Sequence, residues 1–458
     1  MRSYREILSL SWPILLEMGV QMFIMNMNTF MVSRLGDGVV AAVATANTAL
    51  SIVGMLMGIV GIGANILVAQ YFGAGERLST SRIVVEAMRL NLLVSIIVGV
   101  FMMAEPWIAL TLLHTPALIL EPARLYLRWM SVLLPLQSVS MLAAGILRSF
   151  GSTRPVLYLS ILNVVLTVSG NAVVVYQGFG LPELGIEGLV GANALGGVVS
   201  TVLMCRLLYT KMPAKVGLSA WWKRGHFTWD VIRVGVPSAV ELGSYQLTQF
   251  LIVSLVSLLG AYAVATRAYA SAVESMSFLV GMGLSQGISI LVGHRIGRQD
   301  YTGAREIANQ GIILGALLMT LTGGLLFLFG GDIVRVFSHD PTVIRWGTGV
   351  LRIIAIAQPA KAVNMVIGGA LRGAGDNKWL MWNSGTFVWL SVIFAYLFGI
   401  TWHGALYGMW WGMCLDEWIR AGLVFRRLRG DRWQGRSYVQ ASTVNGDASS
   451  GAPVPMEH

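Results

Sequence analysis

The sequence predicts an all-α polytopic membrane protein of twelve transmembrane helices arranged as two parallel six-helix repeats. Three observations predict it. The 458 residues are 55% hydrophobic and 12% charged, where a soluble domain carries about 25% charged residues; the mean hydropathy is +0.68. Twelve apolar runs are long enough to cross a hydrocarbon core of ~30 Å. They lie near 7–33, 39–65, 83–106, 119–147, 156–178, 187–210, 231–259, 264–293, 306–336, 343–371, 379–400 and 404–428. Finally, Pro13 to Glu76 recurs without a gap as Pro237 to Asp300, at an offset of 224 and with 17 identities in 64 positions. The same offset carries Pro135, Gly145, Leu147-Arg148 and Gly151 onto Pro359, Gly369, Leu371-Arg372 and Gly375. Six spans per half is an even number, so both halves enter the membrane the same way round, related by an axis along its normal.

This gives an amino-terminal lobe at 1–210, an inter-lobe loop at 211–230, a carboxy-terminal lobe at 231–430 and a disordered tail at 431–458. The net charge of +10 is a matter of topology rather than of nucleic acid. Most Lys and Arg lie in the amino-terminal segment, the even-numbered loops and the tail, among them Arg77, Arg82, Lys211, Lys215, Arg295, Arg298, Arg426 and Arg427. By the positive-inside rule both termini are cytoplasmic. The opening MRSYREILSL runs into a span too long for a signal peptide's apolar region. Cys205 and Cys414 sit inside apolar spans and say nothing of redox compartment. There is no CxxC, HExxH or Walker A pattern.

Span one carries Pro13 and, one turn on, Glu17. A carboxylate within a span is rare and usually functional; a place near the cytoplasmic end, where it caps or snorkels, is the alternative. In span two Gly54 and Gly58 form a GxxxG pair, read as helix packing. AQYFGAGE after it is a turn and not a phosphate cradle. Span five puts Asn163, Thr167 and Asn171 on one face, which suits either a cavity wall or hydrogen bonds between helices. In the inter-lobe loop Trp221, Trp222 and Trp229 suit the headgroup region.

The second half holds the more unusual charges: Glu241 in span seven, Arg267 and Glu274 on one face of span eight, Lys361 in span ten and Asp416-Glu417 in span twelve. Lys361 lies ten residues before the LRGAGDNK turn, about 15 Å up the helix. An ammonium there needs a partner, with Glu241 and Glu274 as candidates. Gly283-Leu284-Ser285-Gln286-Gly287 matches the GxSxG pattern of a nucleophile elbow, but that elbow needs a strand before it. A membrane span leaves it no such context, and nothing else in the chain supports an enzyme.

AQYFGAGE and GHRIGRQD after spans two and eight, with LRSFGSTRP and LRGAGDNK after spans four and ten, resemble the multidrug and toxic compound extrusion family. The resemblance covers roughly residues 5–430. It implies two six-helix lobes around a central cavity, rocking between inward and outward forms, with export coupled to Na⁺ or H⁺ entry. The chain departs from the family where acids are usual. Asn28 replaces a span-one aspartate and Lys361 a span-ten aspartate, and a span-seven glutamate is expected one turn beyond Glu241, near Tyr245.

The expected function is a secondary active efflux antiporter, exporting amphiphilic cations in exchange for H⁺ (or Na⁺), without cofactor. Glu241, Glu274, Glu17 and Lys361 are the ion-coupling candidates. Asn28, Asn163, Thr167, Asn171, Tyr245, Gln249 and Arg267 are the substrate-wall candidates. The expected partners are the small-molecule substrate and membrane lipids, not nucleic acid; the expected state is a monomer in the bacterial inner membrane. The rival reading is a flippase or exporter of an anionic or lipid-linked molecule, motivated by Lys361 and Arg267.

Overall fold

A computed structural model describes residues 2–34, 36–112, 115–176, 185–215, 217 and 225–439. Among them there is no strand. The helices of the first half are α1 (Arg2–Ser33), α2 (Asp37–Gly73), α3 (Arg77–Ala104), the short α4 (Pro106–Leu112), α5 (Ala117–Ser149), α6 (Thr153–Val175) and α7 (Gly185–Lys211). Those of the second are α8 (Phe227–Ser257), α9 (Ala261–Gly297), α10 (Tyr301–Phe337), α11 (Pro341–Ala374), α12 (Asn377–Phe387), α13 (Trp389–Tyr396) and α14 (Ala405–Arg429). Among the described residues eleven segments are long and apolar enough to span, with α12, α13 and a π-helical turn at Leu397–Thr401 counting as one. The twelfth is α14, whose 25 residues would reach about 37 Å; Asp416, Glu417 and Arg420 at its middle make it polar.

The repeat reappears in the backbone. Positive φ recurs at matching positions: Gly36 (111°) and Gly260 (91°), Gly75 (79°) and Gln299 (61°), Gly151 (81°) and Gly375 (90°). These are the turns between successive helices; Gly36 and Gly260 stand as N-caps of α2 and α9, and Gly375 is the left-handed cap that ends α11. Pro13 in α1 and Pro237 in α8, like Pro135 in α5 and Pro359 in α11, interrupt helices at equivalent points. Asp300 and Asp340 cap α10 and α11, accepting from Gly303 N–H (2.9 Å) and Thr342 N–H (2.7 Å).

Each half encloses its own apolar core, around Val43, Tyr126 and Leu127 in the first and Val350, Leu351 and Met409 in the second. The first helix of each half also reaches across. Ile7 of α1 joins the cluster of Leu284, Ile288 and Val366, and Phe227 and Val231 of α8 join that of Leu67, Ile83 and Leu147. Glycine allows the closest approach at this crossing. Gly63 of α2 lies on the Val231 carbonyl and Gly235 of α8 on that of Ile59, while Gly283 and Gly287 of α9 lie on Leu15 and Ser11 of α1. Gly54 and Gly58 do not pack as expected: a side chain at either would meet nothing within 4 Å. The close approaches fall further along α2, where it crosses α8 and α9.

Polar contacts bind the halves at the end that carries the N-terminus. His294 Nε2 donates to the Ser149 carbonyl (2.7 Å), Gln70 Nε2 to that of Gly373 (2.8 Å) and Arg298 Nε to that of Gly73 (3.3 Å).

Two boundaries are corrected. The segment expected as a loop up to residue 230 ends earlier, since α8 starts at Phe227. Residues 431–439, expected as the start of a disordered tail, are packed. Trp433 is 1% exposed, Asp431 pairs with Arg305 (2.8 Å), and Tyr438 bonds Gln70 on one half (2.9 Å) and the Gly375 carbonyl on the other (3.1 Å). The stretch has no apolar period, but two aromatic anchors replace one. Trp221, Trp222 and residues 440–458 lie outside the described residues.

Candidate functional site

Arg267, Glu274, Lys361, Asp416, Glu417 and Arg420 of the second half converge on one cavity of about 310 Å³ inside that half. Each wall is one stripe of a helix, because positions three, four and seven apart share a face. Tyr245, Gln249 and Ile252 come from α8, and Arg267, Ser271, Glu274 and Phe278 from α9. Ile353, Ile354, Ala357 and Lys361 come from α11, and Trp410, Cys414, Glu417 and Arg420 from α14. Asp416 also reaches the lining, and Ser391 closes it from α13.

The charges pair in two groups. Lys361 Nζ contacts Glu274, joining α11 to α9. Arg420 holds both Asp416 and Glu417, each at 2.8 Å. Glu417 also accepts from Asn364 Nδ2 at 2.7 Å. Asp416 is 1% exposed, and its Oδ1 has no hydrogen-bond partner. Arg267 stands apart: its polar partner is Gln249 Oε1, at 3.1 Å, and its guanidinium lies 5.9 Å from the ring centroid of Trp410.

Of the residues expected from sequence, Glu274, Lys361, Tyr245, Gln249 and Arg267 meet here. Glu241 does not sit beside Lys361. It pairs with Arg372 at 3.4 Å, as Glu17 pairs with Arg148 at 2.7 Å, and the offset of 224 relates the two pairs. Each ties the first helix of its half to the last turn of its fourth span, a place set by the Pro-x-x-x-Glu spacing near the helix start. Glu17 is 2% exposed and takes a further contact from Ser160 Oγ (3.3 Å).

The first-half candidates form a neutral cluster. Asn171 Nδ2 bonds Asn28 Oδ1 (2.9 Å) and Asn193 Oδ1 (3.4 Å). Asn163 and Thr167 face Gly196 of α7, so this stripe lies at the α6–α7 seam; the Oδ1 atoms of Asn163 and Asn171 are buried without partners. Asp416 and Glu417 stood out in the sequence as charges within a span but were given no role, and Asn364 and Arg420 were not named; with Arg420 the two acids make three charges within five residues of α14.

No group of three or more His, Cys, Asp or Glu converges to hold a metal ion among the described residues. The GxSxG match is the interior of α9, where Ser285 is 3% exposed and packs on Gly369; it is no elbow.

Comparison with known proteins bears on both halves. The family model MatE matches residues 13–173 and again 237–397. An uncharacterized transporter YisQ of Bacillus subtilis is 28% identical over 93% of this chain and 94% of its own. A probable multidrug resistance protein NorM of Thermotoga maritima is 23% identical, over 96% and 95%. The crystal structure of a MATE protein in the bent conformation superposes with a TM-score of 0.86 at 19% identity, over 93% of this chain and 95% of that one.

Proposed function

Because the chain belongs to the MatE family, matched through both of its halves, we propose that it is a secondary active multidrug efflux antiporter driven by protons. It exports amphiphilic cations from the cytoplasm across a bacterial inner membrane, as a monomer with both termini inside. The observation that carries the coupling is the sharing of one guanidinium, Arg420, by two carboxylates, Asp416 and Glu417, in the cavity wall. The cavity as a whole holds three acids and three bases, but at this end two acids share one base and Asp416 Oδ1 has no hydrogen-bond partner. A carboxylate so poorly compensated out of water is costly, so this end of the cavity gains from taking up one positive charge. A proton on Asp416, whose Oδ1 is unpartnered, supplies it; so does the cationic end of a substrate. The two compete for one charge, which is the requirement for exchange rather than co-transport.

Protons fit better than Na⁺. A hard cation needs several oxygen ligands at once, whereas the cavity's carboxylates are already turned to Lys361, Arg420 and Asn364. The contacts His294–Ser149 and Gln70–Gly373 would hold the cytoplasmic side shut in this form, and rocking of the lobes would break them. Tetraphenylphosphonium binding to the purified protein in weak buffer should release about one proton per ligand. Asp416→Asn should abolish the release. Proton-silent binding by the unmodified protein would remove the exchange reading.

A further inference from the structure

We propose that Arg267 binds an acidic group of the ligand, so that the second-half cavity accepts amphiphiles carrying a carboxylate beside a flat apolar body. This rests on the reading of that cavity as a substrate chamber and adds a substrate class to it.

Several other half-buried arginines of this protein carry an acid. Arg148 is paired with Glu17, Arg372 with Glu241, Arg420 with Asp416 and Glu417, and Arg427 with Asp376. Half-buried Arg295 and Arg305 likewise carry acids, Glu6 and Asp300 on the one and Asp431 on the other. Arg267 is equally half-buried, yet no carboxylate lies within ion-pair distance of it among the described residues. Glu274, two turns away on the same face of that helix, is turned to Lys361 instead.

One N–H group of Arg267 is used, by Gln249 Oε1 (3.1 Å). A guanidinium offers five donors in a planar fork that matches a carboxylate with two parallel hydrogen bonds, so most of its donor capacity is unspent at the cavity wall. Gln249 fixes the fork's aim, and Trp410 lies against its face. Ile252, Ile353, Ile354 and Phe278 line the same space, a surface for an apolar body. The positive end at Arg267 is also separate from the acid-rich end. Trp410, which Arg267 overlies, is seven residues before Glu417, about 10 Å along α14. An acid at Arg267 and a proton at Asp416 can therefore be held together.

The test is binding to the purified protein, read by calorimetry, of 2-naphthoate and its neutral isostere 2-naphthamide. The unmodified protein should prefer naphthoate. Arg267→Gln should weaken naphthoate roughly 10- to 100-fold, the worth of hydrogen bonds to a charged group, and leave naphthamide within about twofold. Arg267→Lys, which keeps the charge and loses the fork, should fall between. Equal affinity for the two probes in the unmodified protein, or unchanged naphthoate binding by Arg267→Gln, overturns the proposal. If Arg267→Gln does not fold, Gln249→Leu decides. It leaves the charge but frees its aim, and should cost naphthoate several-fold more than naphthamide. Added phosphatidylglycerol should not compete; competition would assign the site to a lipid headgroup and overturn the proposal likewise. Failure of the unmodified protein to prefer naphthoate, with intact proton release on tetraphenylphosphonium binding, would sink this inference and spare the exchanger. The converse result would spare this inference and sink the exchanger.

Discussion

Gln299 shows what the repeat demands of a single residue. It occupies the turn after α9 with φ 61°, where its counterpart Gly75 reaches 79° without a side chain. A side chain in the left-handed region costs roughly 1–2 kcal/mol. Gln299→Gly should therefore stabilise the protein by up to about 1 kcal/mol once the greater freedom of glycine in the unfolded chain is discounted. Thermal melting in detergent checks it, and a lowered midpoint would mean that the Gln299 side chain has a compensating contact. The neighbouring Asp300 sets a pH signature. The Gly303 N–H, and then Arg295, hold its carboxyl below the usual carboxylate range. Its contribution is thus complete above the ordinary carboxylate range and is lost as pH falls through the lowered value. Glycine at these turns was legible in sequence; the strain at Gln299 was visible only as a break in the match between the halves.

Among the elements, the first helix of each half was read correctly as polar and incompletely as functional. Glu17 and Glu241 were legible because both lie four residues after a proline at the same offset. Their partners were not, because Arg148 and Arg372 are far away in sequence and belong to a motif that reads as a turn. The symmetry of the two pairs favours a structural clamp. Glu17→Gln leaves Arg148 beside an uncharged group and should cost about 3 kcal/mol, with less for the more exposed Glu241. Export by either variant should keep its dependence on the pH gradient. An unchanged melting midpoint with a lost pH response would instead make the acid a coupling group. The last span was the harder element, since α14 is both the most polar span and the source of Asp416, Glu417 and Arg420. Apolar periodicity located it, but the pairing of its charges depends on α9 and α11, which no local pattern reveals.

At the scale of the whole molecule, the duplication was fully legible and the asymmetry between its halves only partly so. The first half keeps an uncharged cluster of Asn28, Asn171 and Asn193, and the second concentrates its charge around one cavity. The proposed coupling falls in the second half, and the proposed movement at the seam where α2 and α9 cross. A Cβ at Gly293 would lie 2.9 Å from that of Ala69, closer than the ~3.5–4.5 Å of a disulfide, so the two helices must part slightly to admit the bond. In a protein whose Cys205 and Cys414 are first replaced by serine, Ala69→Cys with Gly293→Cys should cross-link on oxidation. Export should stop and return on reduction; unimpaired export by the cross-linked protein would refute rocking at this seam. The central claim is proton exchange at Asp416, Glu417 and Arg420. Its most direct measurement is tetraphenylphosphonium transport in proteoliposomes under pH and Na⁺ gradients imposed separately. Transport should be driven by the pH gradient alone, and Asp416→Asn should show none. Transport driven by Na⁺ and indifferent to the pH gradient would contradict it.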